Sequence, residues 1–111
     1  VQNYRRNNFT TMDIKNNFNK IINIYLLIDN VRTIVTKKGE KMAFITGSDE
    51  YGEIDMVMFP RTYEKYYNLS KGEVVLISAK VEKRINQYFI TLINSFFAFL
   101  YLYSAVIRDN I

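Results

Sequence analysis

The side chains best suited to bind a ligand in this sequence are basic and aromatic. Four basic residues precede Phe44 closely along the chain: Arg32, Lys37, Lys38 and Lys41. Proteins hold single-stranded nucleic acids in a positive groove that follows the phosphates, with aromatic rings on which bases stack at about 1 to 3 kcal/mol each. The cluster therefore suggests an anionic, base-containing ligand, although a lysine-rich hairpin tip is often only a solvated turn.

A second basic group comes later in the chain and consists of Lys80, Lys83 and Arg84. Tyr88 follows this group and offers a ring on which a base can stack. A solvated turn and a binding role are equally open interpretations of this group.

Other kinds of chemistry have little support. The chain has no Cys and no His, which excludes disulfides, zinc sites of the usual kind and Ser-His-Asp triads. Neither phosphate-cradling glycine pattern, GxxxxGK[ST] or GxGxxG, is present. Four acidic residues are dense enough to suggest a magnesium site, but a solvated turn is the favoured interpretation: Asp49, Glu50, Glu53 and Asp55. We predict no catalytic residue, no metal and no cofactor.

Length and charge bound the class of protein. The 111 residues fit about one domain, and 49% hydrophobic residues are enough to form a core. Fifteen Lys and Arg against 11 Asp and Glu give a net charge of +4, which fits an anionic partner. The polar start has no signal peptide, so we expect a cytoplasmic protein. The absence of an initial Met suggests a piece of a longer chain.

The elements that must position these residues are mostly strands. Residues favoured on pleated surfaces form five runs separated by turns: Ile21–Thr36, Lys41–Ser48, Glu53–Phe59, Glu73–Glu82 and Tyr88–Ile93. Pro60 can begin a short helix that stops near Gly72. Its tyrosines are expected to cap the open end of a barrel: Tyr63, Tyr66 and Tyr67. Three strands, a helix and two strands predict an all-β OB-fold, a five-stranded Greek-key barrel.

Alternation within the second strand sets the orientation of Phe44. If Ala43 and Ile45 point into the barrel, then Met42, Phe44 and Thr46 point outward. An exposed Phe44 is available to stack on a base. With the opposite register, Phe44 would instead be a core residue.

Several motifs resemble the C-terminal OB domain of bacterial DNA polymerase III alpha subunits: TKKGEKMAFIT (36–46), DEYGEI (49–54), VMFP (57–60), YEKY (63–66) and KGEVVLI (71–77). The resemblance covers about residues 24–93. It implies contact of the first basic loop with single-stranded template near the polymerase site, in a parent DNA-directed DNA polymerase. The sequence departs from that family at Leu26, Gly47 and Ala79.

The chain is expected to divide into three parts: a polar leader (1–20), the OB domain (21–94) and an aromatic tail (95–111). The uncharged run Ser95–Ile107 spans 13 residues, whereas a bilayer crossing needs about 20. We therefore expect no membrane segment, and the tail should pack on the barrel or on a partner. It is also a candidate surface for self-association.

The predicted function is non-catalytic binding of single-stranded DNA, with other replisome subunits as partners of the parent protein. Two alternatives stay open. One is an RNA-binding OB domain of the anticodon-binding type. The other is a protein-interaction module that uses the aromatic tail.

Overall fold

Strands make up most of residues 8–95, which is the part of the chain that the computed structural model describes. The strands are β1 (Ile21–Val35), β2 (Lys41–Asp49), β3 (Gly52–Met58), β4 (Val74–Arg84) and β5 (Gln87–Ser95), and one helix, α1 (Pro60–Tyr66), lies between β3 and β4. The strands close into a barrel in the order β1-β2-β3-β5-β4. Only the β3–β5 pair is parallel among these neighbours. The predicted all-β OB-fold is confirmed, with strand ends within one or two residues of those predicted.

The first strand serves two neighbours because it bends in the middle. Ile21 to Leu27 pair with β4, and the pairing with β2 shifts register between Ile28 and Asn30. The extra residue at this bulge is Asp29, and a bulge bends the strand and increases its twist. It also reverses the alternation of the strand. Before the bulge, Leu26 and Ile28 face the core, whereas after it Arg32 lies on the outer face.

The core follows the alternation of the strands. Ala43 and Ile45 are buried among the core residues, while Phe44 between them is only half-buried on the outer face. The predicted register of β2 is therefore confirmed. Met42 shares the outer face with Phe44 but is itself buried, because it lies on the floor of a groove described below.

A small and a large residue pack together where β1 meets β2. A Cβ atom added to Gly47 would lie 3.1 Å from Cδ1 of Leu26 and 3.3 Å from its Cβ. Leu26 is fully buried, so its side chain occupies the space that a side chain at position 47 would need. Two of the three departures from the polymerase pattern are thus packing partners.

The helix covers one end of the barrel. It begins at Pro60, as predicted, and Tyr63 and Tyr66 pack against the core. The hydroxyl of Tyr66 donates a hydrogen bond to Oδ1 of Asn94. The prediction for Tyr67 was wrong, since this residue is 67% exposed. The helix ends one residue earlier, and Leu69 enters the core in its place.

Part of the segment expected to be a leader packs on the barrel. Residues 11–16 form a 3-10 helix that is capped by Thr10, and Ile14 is buried in the core. Phe9 forms a parallel bridge with Ile24. Residues 1–7 and the tail after residue 95 lie outside the described range, so the expectations for them stay predictions. Between residues 8 and 95, no helix has the length and apolar character needed to span a membrane.

Candidate nucleic-acid interface

A groove on the outer face of β2, β3 and β5 has an apolar and aromatic lining. Its side chains come from all three strands, since Phe44 pairs with Val57 on β3 and Asp55 on β3 pairs with Phe89 on β5. Phe59 completes the aromatic lining and Met42 lies beneath it. These outward apolar side chains contribute little to the barrel interior, and such a surface is suited to planar apolar ligands such as bases.

The ring of Phe44 is in contact with a cation. Arg32 lies directly opposite Phe44 on β1, and its guanidinium carbon is 5.1 Å from the ring centroid. That distance is within the range of about 6 Å for an attractive cation–π contact. Arg32 approaches from the β1 side, whereas the groove extends from Phe44 towards β3 and β5. The pair therefore combines an oriented ring with a cation that can contact phosphate.

The first basic group lies at the tip of the β1–β2 hairpin. The backbone of Thr36 accepts a hydrogen bond from the N–H of Gly39 and donates one to the carbonyl of Glu40. Gly39 has a φ of +83°, a conformation that glycine adopts without strain. Lys37, Lys38 and Lys41 are all exposed, so three ammonium groups stand in water at one end of the outer face.

The second basic group is divided between the two faces of the sheet. Arg84 points outward and borders the groove with Phe44, and Lys80 lies half-buried on the same outer face. Lys83 has the opposite orientation. Its ammonium lies 5.1 Å from the ring centroid of Tyr88, and Tyr88 packs against the core. The structure brings Arg32, Phe44 and Arg84 together but places Lys83 and Tyr88 away from the groove.

Eight residues that line the groove were not among the predicted site residues, and five of them are apolar: Met42, Val57, Phe59, Ile85 and Phe89. Alternation could have found three of these, including Val57 on β3. Phe59 continues the outward face of β3, and Phe89 must face outward if Ile90 points inward. Which of these faces meets Phe44 depends on the parallel β3–β5 pairing, which no local pattern reveals.

Two of the four acidic residues, Asp49 and Asp55, accept hydrogen bonds within the domain. The carboxylate of Asp49 accepts hydrogen bonds from the N–H of Thr11 at 2.8 Å, from its hydroxyl at 2.6 Å and from the N–H of Tyr51 at 2.9 Å. Asp55 accepts one from Nε2 of Gln87 at 3.0 Å. Among residues 8–95, no group of three or more His, Cys, Asp or Glu is arranged to hold a metal ion.

A shifted pKa occurs outside the groove. Burial raises the pKa of the Glu73 carboxyl above its ordinary value, and hydrogen bonds from Ser70 partly oppose that shift. Glu73 lies just before β4, and its main-chain carbonyl accepts a hydrogen bond from the N–H of Ile28. This acid therefore belongs to the loop that joins the helix to the barrel and not to the ligand-binding face.

Comparison with known families defines the class of protein. Residues 20–95 match the OB-fold nucleic acid binding domain family of the tRNA anticodon type, and the chain belongs to that family. This class agrees with the barrel and with the groove on its outer face.

The curated relatives are DNA polymerase III alpha subunits. That of Staphylococcus epidermidis is 37% identical over 75 residues, which are 67% of this chain and 7% of the relative. That of Halalkalibacterium halodurans is 40% identical over 58 residues, 51% of this chain and 5% of the relative. That of Bacillus subtilis is 36% identical over 64 residues, 57% of this chain and 6% of the relative. The resemblance to this polymerase segment is confirmed, and the chain spans only a small part of these relatives.

Proposed function

We propose that this chain is a non-catalytic, single-stranded DNA-binding domain of a bacterial DNA polymerase III alpha subunit, which holds template near the polymerase site in the cytoplasm. The observation that supports it is the arrangement of Phe44. This ring lies under Arg32 in the middle of the outer face, next to further aromatic residues and between two basic hairpins.

The two parts of this site act differently on a single strand. Bases stack on the rings of the groove, and every base has a face that can do so, which makes the contact tolerant of sequence. The lysines of the first hairpin neutralise phosphates without reading bases. Asp55 and Glu82 also lie on the outer face, and their carboxylates repel phosphates. We therefore expect weak binding that relies on cations at the edges and apolar contact in the centre.

A titration with oligo-dT tests this function. The 111-residue chain is added to labelled oligo-dT of about 16 nucleotides, near the upper site size of an OB fold, at several salt concentrations. Affinity should fall steeply as salt rises, because about 0.7 counterions are released per phosphate neutralised on a single strand. Inorganic polyphosphate, which has charge but no bases, serves as the competitor control and should displace oligo-dT poorly. Affinity that does not change between low and physiological salt contradicts the proposal.

The parent protein would be a nucleotidyltransferase, but this segment would not catalyse the reaction. It contributes no imidazole, thiolate or nucleotide-binding glycine loop. The purified chain should therefore extend no primer in the presence of magnesium and deoxynucleotides. Primer extension that co-purifies with the chain would contradict this assignment.

RNA binding is the second candidate, and the match to an anticodon-type OB family favours it. Oligo-rU of the same length as the oligo-dT separates the two functions. Tighter binding of oligo-rU at equal salt would favour the RNA-binding function. We further propose other replisome subunits as partners of the parent protein, with the aromatic tail as a contact for them or for a second copy of this chain. Size-exclusion chromatography of the chain with and without residues 96–111 tests the self-association.

A further inference from the structure

The β4–β5 hairpin has an unusual residue at its tip. Arg84 pairs with Gln87, so the loop consists of Ile85 and Asn86. Ile85 has a φ of +59°. A two-residue hairpin that needs a positive φ at its first position normally has glycine there, and a β-branched residue in this conformation is a genuine outlier. The other described positions with positive φ are occupied by residue types that tolerate it: Asn19, Gly39 and Gly72.

Packing of the side chain does not explain why isoleucine occupies position 85. It is 88% exposed, more than any other large hydrophobic residue in the described range. The apolar group is therefore in water and the backbone is strained in the same residue. Neither feature stabilises the described part of the domain, and a strained position of this kind is a candidate for contact with a ligand.

The position of Ile85 indicates what that contact is. It stands at the rim of the groove next to Arg84, and the same groove is lined by Phe44, Phe59 and Phe89. A ligand in this groove would meet a cation and an apolar branched side chain side by side. A nucleotide offers the matching pair, since its phosphate is anionic and its base has an apolar face.

We propose that Ile85 is a wedge that inserts against a base of the bound single strand and separates it from the neighbouring base. Apolar side chains that enter base steps partly unstack them. This inference rests on the proposed function and extends it, because it assigns the positioning of one base to the second hairpin while Phe44 supplies the stacking surface.

The test compares three substitutions at the tip in the full 111-residue chain. Ile85→Gly and Ile85→Asn remove the apolar group and suit the positive φ, whereas Ile85→Val keeps a branched apolar tip. We expect the first two to raise the Kd for oligo-dT at least about fivefold with an unchanged salt dependence. They should leave the melting temperature unchanged or raise it by a few degrees, on the order of 4 °C. Ile85→Val should stay within about twofold of the unchanged chain in affinity.

Asn19→Gly is the matched control, since it changes a positive-φ residue that does not line the groove. It should leave the Kd unchanged. A second readout uses oligo-dA with 2-aminopurine at one position, because stacking on neighbouring bases quenches the fluorescence of this analogue. At saturation, the unchanged chain should raise the fluorescence of the analogue, and Ile85→Gly should abolish most of that rise.

The outcomes separate this inference from the proposed function. If the unchanged chain fails to bind either oligonucleotide, the proposed function fails, and the wedge fails with it. If the unchanged chain binds, and Ile85→Gly and Ile85→Asn bind with the same affinity as the unchanged chain, only the wedge is wrong. A melting temperature lowered by both variants would assign Ile85 a structural role and overturn the wedge. So would a change from dimer to monomer with unchanged affinity, which would make Ile85 a protein contact.

Discussion

The two hairpins that flank the outer face each contain a position with positive φ, and different residue types occupy it. The β1–β2 hairpin turns through residues 36–40 and has Gly39 at its positive φ, with lysines around it. The β4–β5 hairpin turns through only two residues and has Ile85 at its positive φ, next to Arg84. The first hairpin therefore combines an unstrained backbone with exposed charges, and the second combines a strained backbone with an apolar tip.

This difference separates two ways of contacting a strand of nucleic acid. Ammonium groups on long lysine side chains attract phosphates over about a Debye length and need no defined geometry. An apolar residue contributes only on contact, so its position must be defined, and a short hairpin defines it. Backbone strain of about 1 to 3 kcal/mol is retained in proteins when the surrounding structure imposes it, here through the paired ends of β4 and β5.

The largest effect is expected from reversing the charge of the first hairpin. Changing Lys37, Lys38 and Lys41 together to Glu should weaken oligo-dT binding on the order of 100-fold at low salt and lower the salt dependence, since phosphate contacts are lost for every base composition. Fluorescence titrations at several salt concentrations measure both quantities. The control carries the same change in net charge at exposed lysines outside the groove: Lys15, Lys65 and Lys71. Equal losses in the two variants would mean that net charge alone governs binding.

The aromatic surface between the hairpins should lose affinity without losing salt dependence. Phe44→Ala removes a stacking surface worth about 1 to 3 kcal/mol, which is about 5- to 150-fold in Kd. The melting temperature should change little, because the ring lies outside the core. Ile45→Ala, one residue along, is the contrasting variant and should cost about 2 to 5 kcal/mol of stability. A flatter salt dependence in Phe44→Ala would show that the ring acts by positioning Arg32 for a phosphate contact.

The first hairpin can be given the strain of the second. Gly39→Ile places a β-branched residue at a φ of +83°, and no atom beyond the two adjacent residues lies within 4 Å of an added Cβ, so the main cost is the strained backbone. We expect a loss of about 1 to 2 kcal/mol in unfolding free energy, measured by urea denaturation. Gly39→Asn should lose less, since Asn tolerates this conformation. If Gly39→Ile is as stable as the unchanged chain, the contrast between the two hairpins has no energetic basis.

The smallest effect separates the two cations of the second hairpin. Arg84→Ala should weaken oligo-dT binding a few-fold and reduce the salt slope by about 0.7, the value for one phosphate contact. Lys83→Ala should change either quantity less, because its ammonium lies over Tyr88 away from the groove. Isothermal titration of both variants at two salt concentrations makes the comparison. Equal effects would contradict the division of the second basic group between two faces.

Much of the candidate site could be predicted from local patterns. The alternation around Phe44 predicted that Ala43 and Ile45 point inward, because a strand with one buried face has only one stable register. Gly39 predicted a turn because glycine tolerates a positive φ, and Pro60 predicted a helix start because the fixed φ of proline suits the first helical position. The predicted cluster of Arg32 and Phe44 was close in sequence and is close in space. In contrast, Tyr88 looked like a groove residue from its neighbours in the sequence, yet it packs on the core.

Residue types and a period of two were enough to predict the succession of strands along the chain, the inward faces of β2, β3 and β4 and the basic and aromatic character of the site. The contacts between the outward faces of different strands depend on the folded barrel. The bulge at Asp29 reverses the alternation of β1 and turns Arg32 onto Phe44. The parallel pairing of β3 with β5 brings Phe89 into the groove. Both depend on closing the barrel between distant segments, and alternation within one strand contains no information about that closure.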